Sequence, residues 1–125
     1  MSFFNKIFGG NEDKPETKSF WKPIESEQEL AEAIERSSHK KIAIFKHSTS
    51  CFISKTVLKN FEKEVAETAP DAELYYLDLL AYRPISNKIA EDFDITHQSP
   101  QLIVIEHGKA LNNASHQSIS ISQLD

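Results

Sequence analysis

Short continuous apolar runs alternate along the chain with stretches of helical spacing, and this alternation predicts an α/β layering. Ile42-Ala43-Ile44-Phe45 is an almost unbroken apolar run, as expected of a central strand covered on both faces of a mostly parallel sheet. Beyond the polar loop His47-Ser48-Thr49-Ser50, residues Ile53, Val57, Leu58, Phe61 and Val65 recur at steps of four, one, three and four, marking one face of an amphipathic helix. Ala69-Pro70-Asp71 breaks that pattern, and Leu74-Tyr75-Tyr76-Leu77-Asp78-Leu79 reads as a second inner strand. Strand, helix and strand at this spacing imply a right-handed crossover between parallel neighbours. Ile85, Ile89 and Phe93, four apart, predict a short helix ending before Asp94. Gln101–Glu106 is the clearest strand, and His107-Gly108 has the composition of a tight turn into Lys109–Asn113, which makes a C-terminal β-hairpin.

The flanks are less regular. Met1–Gly10 is apolar but short, has no basic flank ahead of its hydrophobic part, and leads into a polar Gly- and Pro-containing linker, so residues 1–19 are read as a flexible tail and 20–125 as the domain. The globular part begins with an extended segment, Phe20-Trp21-Lys22-Pro23-Ile24. Ser26-Glu27-Gln28-Glu29 is a capping box, followed by Leu30, Ala33 and Ile34 on the inner face of a helix ending near Ser37-Ser38-His39. His39 is read as a partner of that helix's C-terminal dipole. Ser115–Leu124 is expected to form a loop and a short last helix, with Ser118 as its cap and Ile119 and Ile121 as apolar anchors. Tyr75, Tyr76 and Tyr82 are read as packing residues.

Composition narrows the function classes. With 125 residues, 39% of them hydrophobic, the chain supports one core and one domain. A net charge of −5 and unclustered Lys and Arg argue against nucleic acid. No run is long enough to span a membrane. A lone cysteine excludes an intrachain disulfide framework and a multi-thiolate zinc site, and suits a reducing, cytoplasmic setting; no metal is expected.

That cysteine, Cys51, falls where the first strand gives way to the long helix. The first N–H groups of a helix lack intrahelical acceptors, and the aligned peptide dipoles place partial positive charge there, so a thiolate is favoured at this position. Lys46, His47 and Lys55 can add positive field, and Ser50 or Thr49 can cap the helix. The alternative is a small buried hydrophobe, a common fate of free cysteines. Ser54 stands three residues after Cys51, where dithiol oxidoreductases carry a second, resolving cysteine. Without it, the available chemistry is a monothiol exchange that another thiol must reset. His47 has two readings, as a stabiliser or proton carrier for the thiolate and as an ordinary loop histidine.

Phe45-Lys46-His47-Ser48-Thr49-Ser50-Cys51-Phe52-Ile53-Ser54, with Ser99-Pro100-Gln101 and Ser115-His116, resembles the YtxJ-type monothiol bacilliredoxins over about residues 21 to 121. The resemblance implies a thioredoxin-like fold: a central mixed sheet with helices on both faces and the C-terminal hairpin. It implies an enzyme of the oxidative stress response that removes bacillithiol from mixed disulfides on client proteins through Cys51. Bacillithiol is then a co-substrate, no cofactor is tightly bound, and the partners are S-thiolated proteins and a low-molecular-weight thiol. It also implies that Pro100 is cis and lies beside Cys51, with the backbone of Ser99 free to pair with a client; on the residues alone, an ordinary trans proline opening a strand is equally open. His116 matches a Ser-His pair of that family. Phe52 departs from the pattern, since the family usually has proline after the cysteine.

Other classes compete with this one. A Cys/His hydrolase needs a base and an oxyanion site that nothing here supplies. An iron–sulfur carrier of monothiol-glutaredoxin type shares the spacing of Cys51 and Ser54 but has glycine where Phe52 stands. A non-catalytic thioredoxin-like adaptor would bind partners near Pro100 and leave Cys51 idle.

Overall fold

A computed structural model of the chain describes residues 20–125; the tail expected over 1–19 lies outside them. In chain order the elements are β1 (Trp21–Pro23), α1 (Glu27–Arg36), β2 (Ile42–His47), α2 (Phe52–Thr68), β3 (Glu73–Asp78), α3 (Arg83–Asp92), β4 (Gln101–Glu106) and β5 (Lys109–Ser115). Two short 3₁₀ turns, His116–Ser118 and Ile121–Leu124, follow. The five strands form one mixed sheet in the order β1-β3-β2-β4-β5. β1 and β2 both run parallel to β3, whereas β4 is antiparallel to β2 and to β5.

The middle of this sheet follows from β2, in which every residue is buried. Successive side chains of a strand point to opposite faces. Ile42 and Ile44 therefore join one core with Leu30 and Ala33 of α1 and Ile85 and Ile89 of α3, while Ala43 and Phe45 join a second with Val57, Leu58, Phe61 and Val65 of α2. β4 divides in the same way, Ile103 and Ile105 against Leu102 and Val104. Burying each such side chain contributes roughly 1.5–3 kcal/mol, so the sheet and its two helical layers stand or fall together. Trp21 anchors the edge strand in the α2 layer, where its indole N–H donates to the Glu62 carboxylate at 2.7 Å.

Three local expectations are corrected. The Ser26 hydroxyl does accept from the Glu29 N–H at 3.1 Å, but the Glu29 carboxylate takes the N–H of Glu25 at 2.7 Å in place of that of Ser26, so the capping box is only half formed. The last segment does end in a short helix, of 3₁₀ form, but Ser120, not Ser118, caps it: its hydroxyl accepts from Ser122 N–H while Gln123 Oε1 accepts from Ser120 N–H, both at 3.1 Å. On α2, Ile53 is exposed and Ser54 takes the inward position, because the face that meets the sheet passes through 54, 57, 58, 61 and 65.

The β4–β5 hairpin closes as the sequence suggests. His107 and Gly108 both adopt positive φ, 55° and 73°, as a two-residue type I′ turn demands. The turn is pinned to the end of α1, where Ser37 receives His107 N–H on its carbonyl at 2.7 Å and Gly108 N–H on its hydroxyl at 2.9 Å.

Across the start of β3, Glu73 binds the Arg36 guanidinium through both carboxylate oxygens, with Lys22 Nζ at 3.3 Å and the Tyr75 hydroxyl donating at 2.9 Å. The Arg36 hydrogen bonds are the leading cause that holds the Glu73 carboxyl down at about 2, against an ordinary 4.5. A depressed carboxyl stabilises the fold fully above its unfolded value and loses that contribution as pH falls through its folded one. Acid titration of folding stability should therefore show a loss from about pH 4.5 down towards 2 that is largely removed in Glu73→Gln; the same acid limb in the variant would show that the pair does not contribute.

Candidate active site

β2 and β3 are parallel and end together, with Leu79 N–H donating to His47 C=O at 3.0 Å. The chain leaves β2 at His47, turns through Ser48–Ser50, with Cys51 N–H closing the turn on Ser48 C=O at 3.2 Å, and enters α2. Cys51 is the N-cap residue: its backbone is extended (φ −103°, ψ 121°) and its carbonyl accepts the Lys55 N–H at 3.1 Å. Its side chain makes no capping hydrogen bond. The sulfur thus stands where a hydroxyl usually caps a helix, half-buried, at the positive end of 17 aligned residues with no acidic side chain in the first turn. Neither Ser50 nor Thr49 caps the helix. Both are exposed in the turn, and the Ser50 hydroxyl lies 3.5 Å from that of Ser48.

Ser54 holds the turn in shape. It is wholly buried, and its hydroxyl accepts Ser48 N–H at 3.1 Å while lying 2.8 Å from His47 Nδ1. With one lone pair taken by the amide, the serine proton is best directed to Nδ1, which places the imidazole proton on Nε2. His47 is itself buried, and desolvation, the leading cause, with Lys55 outweighs the pull of Asp78 and lowers its pKa below the ordinary 6.5. The imidazole is therefore neutral at pH 7 and can accept from serine. Ser54 occupies the position of a resolving cysteine and acts as a bolt between β2, the turn and α2.

Alternation along β2 separates the two polar residues at its end. His47 goes to the α2 side and Lys46 to the α3 side, so Lys46 does not add its field from the face on which Cys51's helix packs. Its ammonium, fully buried, donates to Ser86 C=O at 3.0 Å and lies 3.4 Å from His97 Nδ1. Burial brings its pKa down to about 8. Sequence reading missed Ser86, His97 and the buried Gln101; the one available signal was a lysine inside an otherwise apolar strand.

The Ser99–Pro100 peptide bond is cis, as the family resemblance implies. Gln101 pairs with Lys46 in the β2–β4 ladder, so buried Pro100 lies one residue past that pair, at the edge from which the Cys51 turn also leaves the sheet. Pro100 C=O accepts His116 N–H at 3.0 Å, which gives His116 a backbone role at this edge. Ser99 Oγ is the one buried side-chain oxygen without a hydrogen-bond partner among the described residues. Two large apolar side chains, Phe52 (80% exposed) and Ile53 (46% exposed), directly follow Cys51 in the first turn of α2.

A β-α-β unit followed by an antiparallel hairpin, a single thiol at a helix N-terminus and a cis-proline at the start of β4 define a redox protein of thioredoxin fold. Residues 22–124 match the family model of the monothiol bacilliredoxin BrxC, and the chain belongs to that family. Among solved structures it is similar to a thioredoxin-fold protein named for an inferred oxidoreductase role, at 30% identity over 82% of this chain and 88% of that one, with a TM-score of 0.71. Thioredoxins from Trypanosoma brucei brucei (18% identity, 77% and 78% coverage, TM-score 0.64) and Malassezia sympodialis (18%, 82% and 82%, 0.59) share the fold. No helix among the described residues is long and apolar enough to cross a membrane.

Removing the Ser54 hydroxyl should leave a buried amide and a buried imidazole nitrogen without their partner. Ser54→Ala is expected to cost about 1–3 kcal/mol in urea unfolding. A variant as stable as the parent would show that Ser54 merely fills space.

Proposed function

We propose that Cys51 is the nucleophile of a monothiol transfer that strips a small thiol from S-thiolated proteins. The observation that carries this reading is the pairing of a lone thiol at the α2 N-terminus with a buried, hydrogen-bonded serine three residues on. The sulfur stands at the helix terminus without a capping hydrogen bond, and the serine cannot resolve the product. In the transfer, Cys51 S⁻ attacks the small-thiol sulfur of a client mixed disulfide. The new S–S bond joins Cys51 to the small thiol, the old one breaks, and the client sulfur leaves with its electron pair and takes a proton from solvent. A second low-molecular-weight thiol then attacks the adduct and restores Cys51 as thiolate, carrying the small thiol away as a symmetrical disulfide. Bacillithiol is the small thiol that family membership favours, and the proposed setting is the cytoplasm during recovery from oxidative stress.

The client is held beside Cys51 by the edge that Ser99 and Pro100 form. Proline offers no N–H and its carbonyl is taken by His116, so the backbone of Ser99 is the group left for an extended segment to pair with. His47 enters as a neutral residue that shapes the turn through Ser54. Ser50 contributes only as part of that turn.

Rates measured on one client carrying bacillithiol, glutathione or coenzyme A, each as a mixed disulfide, test the assignment. Bacillithiol should be removed fastest, by about tenfold or more, a margin corresponding to one well-made polar contact. Equal rates would keep the monothiol chemistry and remove bacillithiol from it. Cys51→Ser should abolish transfer of all three, since a serine hydroxyl forms no mixed disulfide, and transfer that survives this change would end the proposal.

A further inference from the structure

Lys46 is a buried cation that the transfer chemistry does not use. It makes no ion pair with a carboxylate among the described residues, and the groups facing its ammonium are Ser86 C=O and His97 Nδ1. A desolvated ammonium, which has donors only, is costly unless acceptors surround it. His97 can serve as one because desolvation first, then Lys46 and Arg83, lower its pKa below 6.5 and keep the imidazole neutral. The Ser86 hydroxyl lies 3.3 Å from the same Nδ1. Three elements therefore meet at one point: β2, α3 and the loop that runs from α3 to Pro100. Gln101, the ladder partner of Lys46, holds the same loop on either side of His97, donating from Nε2 to Thr96 C=O at 3.1 Å and accepting Gln98 N–H on Oε1 at 3.4 Å.

The position of this point gives it a consequence for the site. One residue beyond Lys46 the chain reaches His47 and the Cys51 turn, and three residues beyond His97 it reaches Pro100. We propose that Lys46, Ser86 and the half-buried His97 form a polar clamp that fixes the loop before Pro100, with His97 a positioning residue that sets how tightly a client segment is held beside Cys51. The clamp rests on the transfer function proposed above for its effect on clients, and on geometry alone for its effect on the loop.

Two readouts separate these. His97→Leu removes the acceptor, Lys46→Met removes the donor, and His97→Asn returns a carbonyl oxygen near the place of Nδ1. Amide hydrogen exchange at Gln98 reports on the loop without reference to function. It should accelerate about tenfold or more in His97→Leu and Lys46→Met and stay near the parent rate in His97→Asn, the factor that follows from losing one hydrogen bond to a charged group. Transfer from a bacillithiolated peptide should show a KM raised by a similar factor in the first two variants, with kcat within about twofold of the parent and the asparagine variant restored. Unfolding monitored through Trp21 fluorescence verifies that each variant is folded. Parent-like exchange in both His97→Leu and Lys46→Met overturns the clamp, whatever the kinetics. Faster exchange with an unchanged KM overturns the positioning role, as does an equal loss of kcat without a change in KM. If the parent itself transfers nothing, the function fails and the client-holding role with it, while the exchange data still judge the clamp.

Discussion

One serine hydroxyl sets the geometry of the thiol. Ser54 Oγ takes the amide proton of Ser48 and meets His47 Nδ1, so the last residue of β2, the turn and the first turn of α2 are locked to one another in a place that water does not reach. Because a buried polar group is costly when unpaired, any movement of the Cys51 turn away from α2 would expose or orphan at least one of the three. Cys51 is left at the N-cap with its sulfur uncommitted, next to the open end of a long helix dipole. The position that carries the resolving cysteine of a dithiol enzyme holds, in this chain, the serine that keeps the Cys51 turn in place.

That lock works because β2 is the spine of both cores. Its alternation sends His47 towards α2 and Lys46 towards α3, and each meets a serine on the helix it faces, Ser54 on one side and Ser86 on the other. The two polar contacts sit at the same end of the same strand, above apolar layers that fix the helices. The parallel pairing with β3 and the antiparallel pairing with β4 bring the Leu79 and Pro100 ends to that edge as well. The fold thus delivers one half-buried thiol, one buried cis-proline and two exposed apolar side chains to the same end of the sheet.

What could be read from the sequence follows the range of the interactions involved. Ile42–Phe45, the α2 face from Val57 to Val65, and the His107-Gly108 turn are written in local periodicity and turn chemistry, and they appear as expected. Ile53 was misplaced because counting apolar residues cannot see that a small serine, tied to a strand end seven residues earlier, owns the buried position. Lys46 and His97 stand 51 residues apart, so nothing local marks them as partners. The pairing of β1 with β3, which puts Trp21 into the α2 core, likewise depends on contacts across the chain. The cis bond at Pro100 was legible only through family resemblance, since an X-Pro bond differs between its isomers by only about 0.5–1 kcal/mol.

Under the proposed monothiol transfer, a single turnover has one set of products: the small thiol changes hands, and the reaction stops. Intact mass spectra of both proteins, taken after mixing the reduced chain with a client bearing one bacillithiol and no added thiol, read this directly. The client should lose one bacillithiol and the chain should gain one, at Cys51, in equal amounts and without further turnover. A covalent adduct of the two proteins that persists as the main product, or a client that keeps its bacillithiol, would contradict the monothiol transfer.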